Sequence, residues 1–559
     1  MPIRSTLRAL ALISASALSL GAQASAPKAD LIVVNGTVYT VDEAHPRASA
    51  FAVRNGRIIF VGSDREARML AGSATQVIDA RGNAVIPGMV DAHAHLLGLG
   101  TSLRNVQLAG SKTYEEVVAR VVERSKSMKV GEWIVGRGWD QNLWPDKKFP
   151  THELLSRALP NNPVVLTRID GHALLANAMA LRAAGVTAAT RDPDGGRIER
   201  NADGSPAGVF VDNAQRLVSR SIPAATQAQT RQAIIAAIAE ANRWGLIGIH
   251  DAGASRRTID IYESLAREGR YNLRNYVMVS GDSANVRHYL GLGPRSAMYN
   301  GRIWVKSFKL YSDGALGSRG AALLAPYSDD ANNTGLLVTP AADMQRIATA
   351  SLRRGFQVGV HAIGDRGNRI VLDAYDAALK SVPTPDHRFR IEHAQVISLQ
   401  DIPRFALLGV IPSMQASHQT SDMRWAEARV GPERIKGAYA WRSLLNSGVV
   451  IPNGSDFPVE EVNPLISFHS AISRQDGTNW PAGGWYPDQV MTREEALRSM
   501  TIWPAYAGFQ EKTMGSISPG KYADFVILDR DIMKIPATEI LGTRVISTWL
   551  GGRKVYGRD

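Results

Sequence analysis

The sequence predicts an α/β fold: a (β/α)₈ TIM-like barrel with a large insertion after its first strand, plus a small β-sandwich built from both chain ends. Three observations carry this. From Ile86 to about Met514 short apolar runs alternate with helical stretches, the pattern of parallel βα units. On either side the chain reads as β-strands punctuated by turn dipeptides. Between the first and second apolar runs lies a connection too long for one crossover.

The eight predicted barrel strands are Ile86 to His95, Leu246 to Asp251, Leu273 to Val279, Val305 to Tyr311, Val358 to His361, Phe389 to His393, Val410 to Met414 and Val449 to Asn453. Each ends in or near polar residues, and in such a barrel the chemistry sits where the strands end. The first connection, from about Leu96 to Gly245, contains a strand of its own, Val164 to Ile169, and is rich in Trp, Pro and Gly between Gly131 and Pro150. It reads as a lid or substrate-facing insert over about residues 100–245.

Residues 27–85 and 515–559 supply the sandwich, with the barrel at 86–514 between them. Asn35-Gly36 and Asn55-Gly56, each flanked by β-branched runs, predict tight hairpins, because a type I′ turn needs positive φ at both central residues. Gly551-Gly552 marks a third hairpin near the other end. So few strands make a marginal core alone, so the two ends are expected to share one.

Residues 1–26 read as an export signal: Arg4 and Arg8, an apolar stretch from Ala9 to Leu20, then Ala22-Gln23-Ala24 as a cleavage site. The mature chain is expected in the periplasm or secreted, without stable membrane insertion. Cysteine is absent, which removes disulfides, thiol nucleophiles and thiolate metal sites. The 559 residues are 45% hydrophobic and 21% charged, a balance that allows a large core. The formal charge of +12 invites a nucleic-acid reading, but the basic residues are scattered singly among acids. A small-molecule substrate is expected, no nucleic acid, and a homo-oligomer remains open.

The strand ends gather a distinctive set. His93 and His95 close the first strand, and residues two apart leave the same face of a strand. Lys309 lies in Phe308-Lys309-Leu310-Tyr311-Ser312-Asp313-Gly314, His361 opens His361-Ala362-Ile363-Gly364-Asp365, His393 follows Glu392, and Asp456 ends Gly454-Ser455-Asp456. With only 12 histidines in the chain, four at three strand ends point to a metal. Neutral imidazoles and a carboxylate suit a divalent ion such as Zn²⁺, and a second ion close by needs an anionic bridge. An unmodified Lys309 paired with Asp313 would leave a single ion.

These motifs, with Pro87-Gly88-Met89-Val90-Asp91-Ala92-His93-Ala94-His95, Gly138-Trp139-Asp140, Asp170-Gly171-His172 and Gly515 to Asp524, resemble the amidohydrolase superfamily. Within it the likeness is to amidohydrolase family 3, the YtcJ-like branch that includes N-substituted formamide deformylases. The resemblance implies that His93, His95 and Asp456 bind one metal, His361 and His393 a second, and a carboxylated Lys309 bridges them. It also implies hydrolysis of an amide, N-acyl or N-formyl C–N bond by metal-activated hydroxide, with Asp456 as general base. His172, His418 and Arg319 are candidates to face substrate, and Trp139, Trp144 and Trp425 either wall a pocket or pack the insert and loops. Deamination, cyclic-ester hydrolysis or isomerisation on the same site stay open, as does a periplasmic binding protein without catalysis. Deaminases of the superfamily tend to lack the bridging lysine.

Overall fold

The computed structural model describes residues 28–558 apart from 169–172, 194–195 and 318. The expected export segment at 1–26 lies outside the described residues. No helix among the described residues is long and apolar enough to cross a membrane.

Seven parallel strands form the barrel wall: β1 (Met89–Ala94), β2 (Leu246–Ala254), β3 (Arg274–Ser280), β4 (Ile303–Tyr311), β5 (Gln357–Ala362), β6 (Arg390–His393) and β7 (Ile411–Ser413). They neighbour one another in chain order, β1 beside β2 and so on to β7. Each matches an apolar run read from the sequence. A further short strand, Arg295–Ala297, pairs antiparallel with the start of β4.

The expected eighth strand at Val449 to Asn453 is not a regular strand. Its backbone nevertheless closes the ring. Met414 N donates to Pro452 O at 3.1 Å, Gly454 N to Met414 O at 3.0 Å, Ala92 N to Asn453 O at 3.1 Å and Asp456 N to His93 O at 2.7 Å. Pro452 has no N–H to give and the chain turns from Asp456, so a continuous ladder cannot form here.

The insert is more elaborate than the one strand the sequence showed. It builds a six-stranded sheet in the order Gly196–Arg200, Pro206–Asp212, Ala173–Ala176, Val164–Arg168, Ile134–Trp139 and Val106–Gln107. One face packs on the helix Tyr114–Ser125 through Val117 and Val121, around Trp139, Trp144 and Leu155. The other packs on Leu181 and Val218. Trp139 donates to Leu166 O at 2.7 Å and Trp144 to Ser111 O at 3.2 Å, so both indoles are core of the insert, not pocket wall.

Two sheets make the sandwich. The first contains Arg57–Gly62, Ala50–Arg54, Leu31–Val34 and Gln76–Asp79. The second runs Arg553–Gly557, Val545–Leu550, Phe525–Leu528, Ala84–Pro87, Thr37–Tyr39 and Arg47–Ala48, mixing both chain ends. Phe525 stacks on Trp549 with centroids 5.3 Å apart and meets Phe51 of the first sheet edge-on at 5.0 Å. Asn55-Gly56 and Gly551-Gly552 make the expected hairpins, with φ of 50° and 73° in one and 59° and 72° in the other. Asn35-Gly36 does not. Only Asn35 takes a positive φ, of 54°, and Leu31–Val34 and Thr37–Tyr39 enter different sheets. Gly36 N donates to Ser49 O at 3.0 Å, so the chain crosses between layers where the sequence predicted a turn back.

The sandwich is fastened to the barrel by a buried ion pair. Arg274, at the start of β3, makes two bonds to Asp524, of 2.6 Å and 2.8 Å, and both side chains are almost wholly enclosed. Removing one partner strands the other charge without water. We expect Asp524→Ala to cost about 3–5 kcal/mol, read as a lower urea midpoint with an unchanged m-value.

Candidate active site

The carboxyl ends of the barrel strands bring together all six residues singled out as metal ligands. His93 lies on β1 and His95 one residue past its end, and the two approach with ring centroids 5.6 Å apart. His393 lies 4.8 Å from His93 and 4.6 Å from His361, centroid to centroid. Asp456 Oδ1 is 3.0 Å from His95 Nε2 and 3.7 Å from His93 Nε2. Lys309 Nζ stands 3.2 Å from His93 Nε2. His93, His393 and Asp456 each offer a ligand atom within 4.8 Å of the others.

Two of these residues hold their side chains in place through left-handed backbone. His393 has φ 73° and Asp456 φ 61°, a region that costs a non-glycine residue free energy and is tolerated where the surroundings enforce it. For Asp456 the enforcement comes from Asp91. Its carboxylate accepts from Ser455 Oγ at 2.6 Å and from the Ser455 and His93 backbone N–H groups at 3.1 Å, stitching the closing segment to β1. Burial pushes the Asp91 carboxyl up to about 7.

The hydrogen bonds fix which imidazole nitrogens are bare. A carboxylate only accepts, so His93 Nδ1–H donates to Glu392 Oε2 at 2.6 Å and leaves a lone pair on Nε2. His393 Nδ1 pairs with Gln415 Oε1 at 2.7 Å, which frees its Nε2 in the same way. Burial pushes the His93 imidazole down to about 4, His361 to about 3 and His393 well below the ordinary value. Burial also pushes the Lys309 amine down to about 8. Burial alone would raise the Asp456 carboxyl, but His95, His93, His393 and His418 hold it well below the usual carboxylate range.

Bare lone pairs and an anionic oxygen thus converge on one point. Asp456 Oδ1 is buried there without a hydrogen bond of good geometry. A divalent cation would satisfy this arrangement, since burial favours the neutral, lone-pair-bearing form of His93, His361 and His393. The donor set, imidazole nitrogens with one carboxylate, fits a divalent ion of the Zn²⁺ type, with Glu392 and Gln415 orienting the ligands from behind.

The remaining candidates divide. His418, on the helix Ala416–Asp422, stacks on His393 at 5.7 Å, and its buried Nε2 has no hydrogen bond and lies 3.7 Å from Asp456 Oδ2. It faces the site. Arg319 does not serve as a free cation: it makes bonds of 3.1 Å and 3.0 Å to Asp329, which Arg429 also engages. His172 lies outside the described residues. Trp425 packs over Gly317. Asp313 is no partner of Lys309; it accepts the backbone N–H groups of Ala322, Ile363 and Gly364 at 2.8 to 2.9 Å.

Sequence reasoning missed Glu392 and Arg390. Both are fully enclosed, joined at 2.7 Å, and Arg390 also donates to Ala92 O and Ser413 Oγ, tying β6 to β1 and β7. The signal was present: two opposite charges two residues apart on one face of an apolar strand. Arg137 of the insert was also missed. It lines a cleft of 560 Å³ with His95, Asp251, Ser255 and Pro458, and its guanidinium makes no hydrogen bond or ion pair among the described residues.

The geometry has counterparts. The amidohydrolase family model matches residues 76–556. The putative amidohydrolase YtcJ of Bacillus subtilis (strain 168) is 32% identical over 530 residues, covering 94% of this chain and 99% of its own. N-substituted formamide deformylase of Arthrobacter pascens is 28% identical over 548 residues, covering 95% and 98%. The crystal structure of an uncharacterized metal-dependent hydrolase from Pyrococcus furiosus superposes with a TM-score of 0.75 at 27% identity, covering 90% of this chain and 100% of its own. Barrel and strand-end side chains together define a hydrolase. The chain belongs to the amidohydrolase family.

If Glu392 orients His93 as a ligand, Glu392→Gln should weaken divalent-cation affinity about 10- to 100-fold, measured by competition with a chelator.

Proposed function

We propose that this protein hydrolyses the C–N bond of an amide-type small molecule, N-acyl or N-formyl, at the carboxyl end of the barrel. The reading rests on one observation: neutral imidazoles and the Asp456 carboxylate aim bare acceptor atoms at a common point beside a buried lysine amine. His93, His95 and Asp456 would hold one divalent cation, Zn²⁺ by donor chemistry, and His361 and His393 a second if Lys309 is carboxylated and bridges them. The bound cation supplies Lewis acidity, which acidifies water and polarises the carbonyl under attack.

The protein's own groups then move the proton. Asp456, held anionic by its imidazole neighbours, accepts it from the attacking water and returns it to the departing nitrogen. His418 Nε2, unpartnered and beside Asp456, lies where it can hydrogen-bond the substrate as charge shifts onto oxygen. The cleft beside His95 sets the substrate's second feature. Its charged lining residues are Asp251, already bonded to Tyr262 and the Leu96 N–H, and the unengaged Arg137. That asymmetry favours substrates bearing a carboxylate away from the scissile bond. With the export signal read from residues 1–26, this chemistry would take place outside the cytoplasm.

Asp456→Asn should keep the fold and lower kcat on an N-acyl or N-formyl substrate by about 10²- to 10⁴-fold; equal activity in mutant and wild type removes Asp456 from the role. Arg137→Ala should raise KM about tenfold for carboxylate-bearing substrates and leave neutral analogues unchanged. A uniform effect on both would show that the insert only packs there.

A further inference from the structure

At the amino end of the barrel strands, opposite the candidate active site, four arginines line one cavity. Its volume is 400 Å³, and its wall includes Arg57, Arg274, Arg302 and Arg553 together with Asp30 and Asn55. Arg302 immediately precedes β4, whose Lys309 reaches the active site about 20 Å further along at strand spacing. The hairpin turns Asn55-Gly56 and Gly551-Gly552 meet at this cavity, so barrel, first sheet and second sheet all contribute.

The acids nearby are already engaged. Asp524 is bonded twice to Arg274 and accepts the Gly551 N–H at 2.7 Å. Asp30 accepts the Asn55 N–H at 2.6 Å. Arg57 donates to Gly520 O and lies over the Tyr522 ring, which Arg274 covers from 3.7 Å. Arg302 has no side-chain hydrogen bond and no ion pair among the described residues, and its Nη1 is buried without a partner. Arg553 likewise has no acidic partner among them. Burial, and then the neighbouring Arg274, push the Arg302 guanidinium down to about 10, the direction expected where positive charge is under-compensated.

A half-buried guanidinium whose Nη1 is enclosed without a partner, at a cavity with three more arginines, is costly unless an anion completes it. We propose that this junction between barrel and sandwich binds a phosphate group, with Arg302 and Arg553 as its principal donors. Guanidinium forks match phosphate oxygens in pairs, and the cavity has room for a phosphomonoester as well as for the free ion. Binding would cross-link the barrel to the C-terminal hairpin and stabilise the folded chain by mass action.

The test is calorimetric titration of the full chain with inorganic phosphate and, separately, glycerol phosphate, in chloride of matched ionic strength. Wild type should bind at least one of them, and whichever binds more tightly identifies the source. Arg302→Gln and the surface change Arg553→Gln should each weaken that binding about tenfold or more. The thermal midpoint should rise with phosphate in wild type and not in either variant, while hydrolase activity stays the same. No binding of either compound, or equal binding in wild type and Arg553→Gln, would overturn the proposal.

Discussion

The Glu392 carboxylate carries the architecture of the site. It lies sealed inside the barrel between the Arg390 guanidinium and the His93 imidazole, 2.7 Å from one and 2.6 Å from the other. Burial alone would raise it, but Arg390 and His93 hold it well below the carboxylate range. An anion in that position dictates the rest. It selects the His93 tautomer and turns Nε2 toward Asp456, and through Arg390 it links β6 to β1 and β7. The electrostatics of the ring and the aim of its first histidine are therefore one interaction.

The ring is least regular where it is most reactive. Seven strands pair in parallel ladders, with register shifts between β1 and β2, β2 and β3, and β3 and β4, whereas the closing segment at 451–456 is held by isolated bonds and ends in the left-handed Asp456. Regular strand backbone would alternate side chains across the wall and could not deliver Asp456 to the point that His95 and His93 share. Asp91, itself short of water, supplies the bonds that make this turn possible.

Much of this was legible in the sequence, for physical reasons. Short apolar runs ending in or near polar residues located seven wall strands, and the His, Lys and Asp motifs at or just beyond such runs located the six convergent side chains, because burial and strand geometry are local properties. Hairpins at Asn55-Gly56 and Gly551-Gly552 were legible for the same reason. Asn35-Gly36 was not, since its local preference for a turn is overridden by tertiary pairing of its flanking strands in separate sheets. The closing segment is less regular than expected because apolar Val449 to Ile451 looks like strand until Pro452 and the turn from Asp456 intervene. The insert's six-stranded sheet and the Arg319–Asp329 pair depend on partners distant in sequence, which local pattern does not encode.

Phe525–Leu528 sits in the second sheet between Ala84–Pro87 and Val545–Leu550. Until that strand emerges from the ribosome, Ala84–Pro87 presents an open, apolar edge while the entire barrel is being made. Folding therefore cannot finish vectorially; Ala84–Pro87 waits for a partner made after the barrel. A chain kept open in this way offers a chaperone a defined edge to guard in the interval.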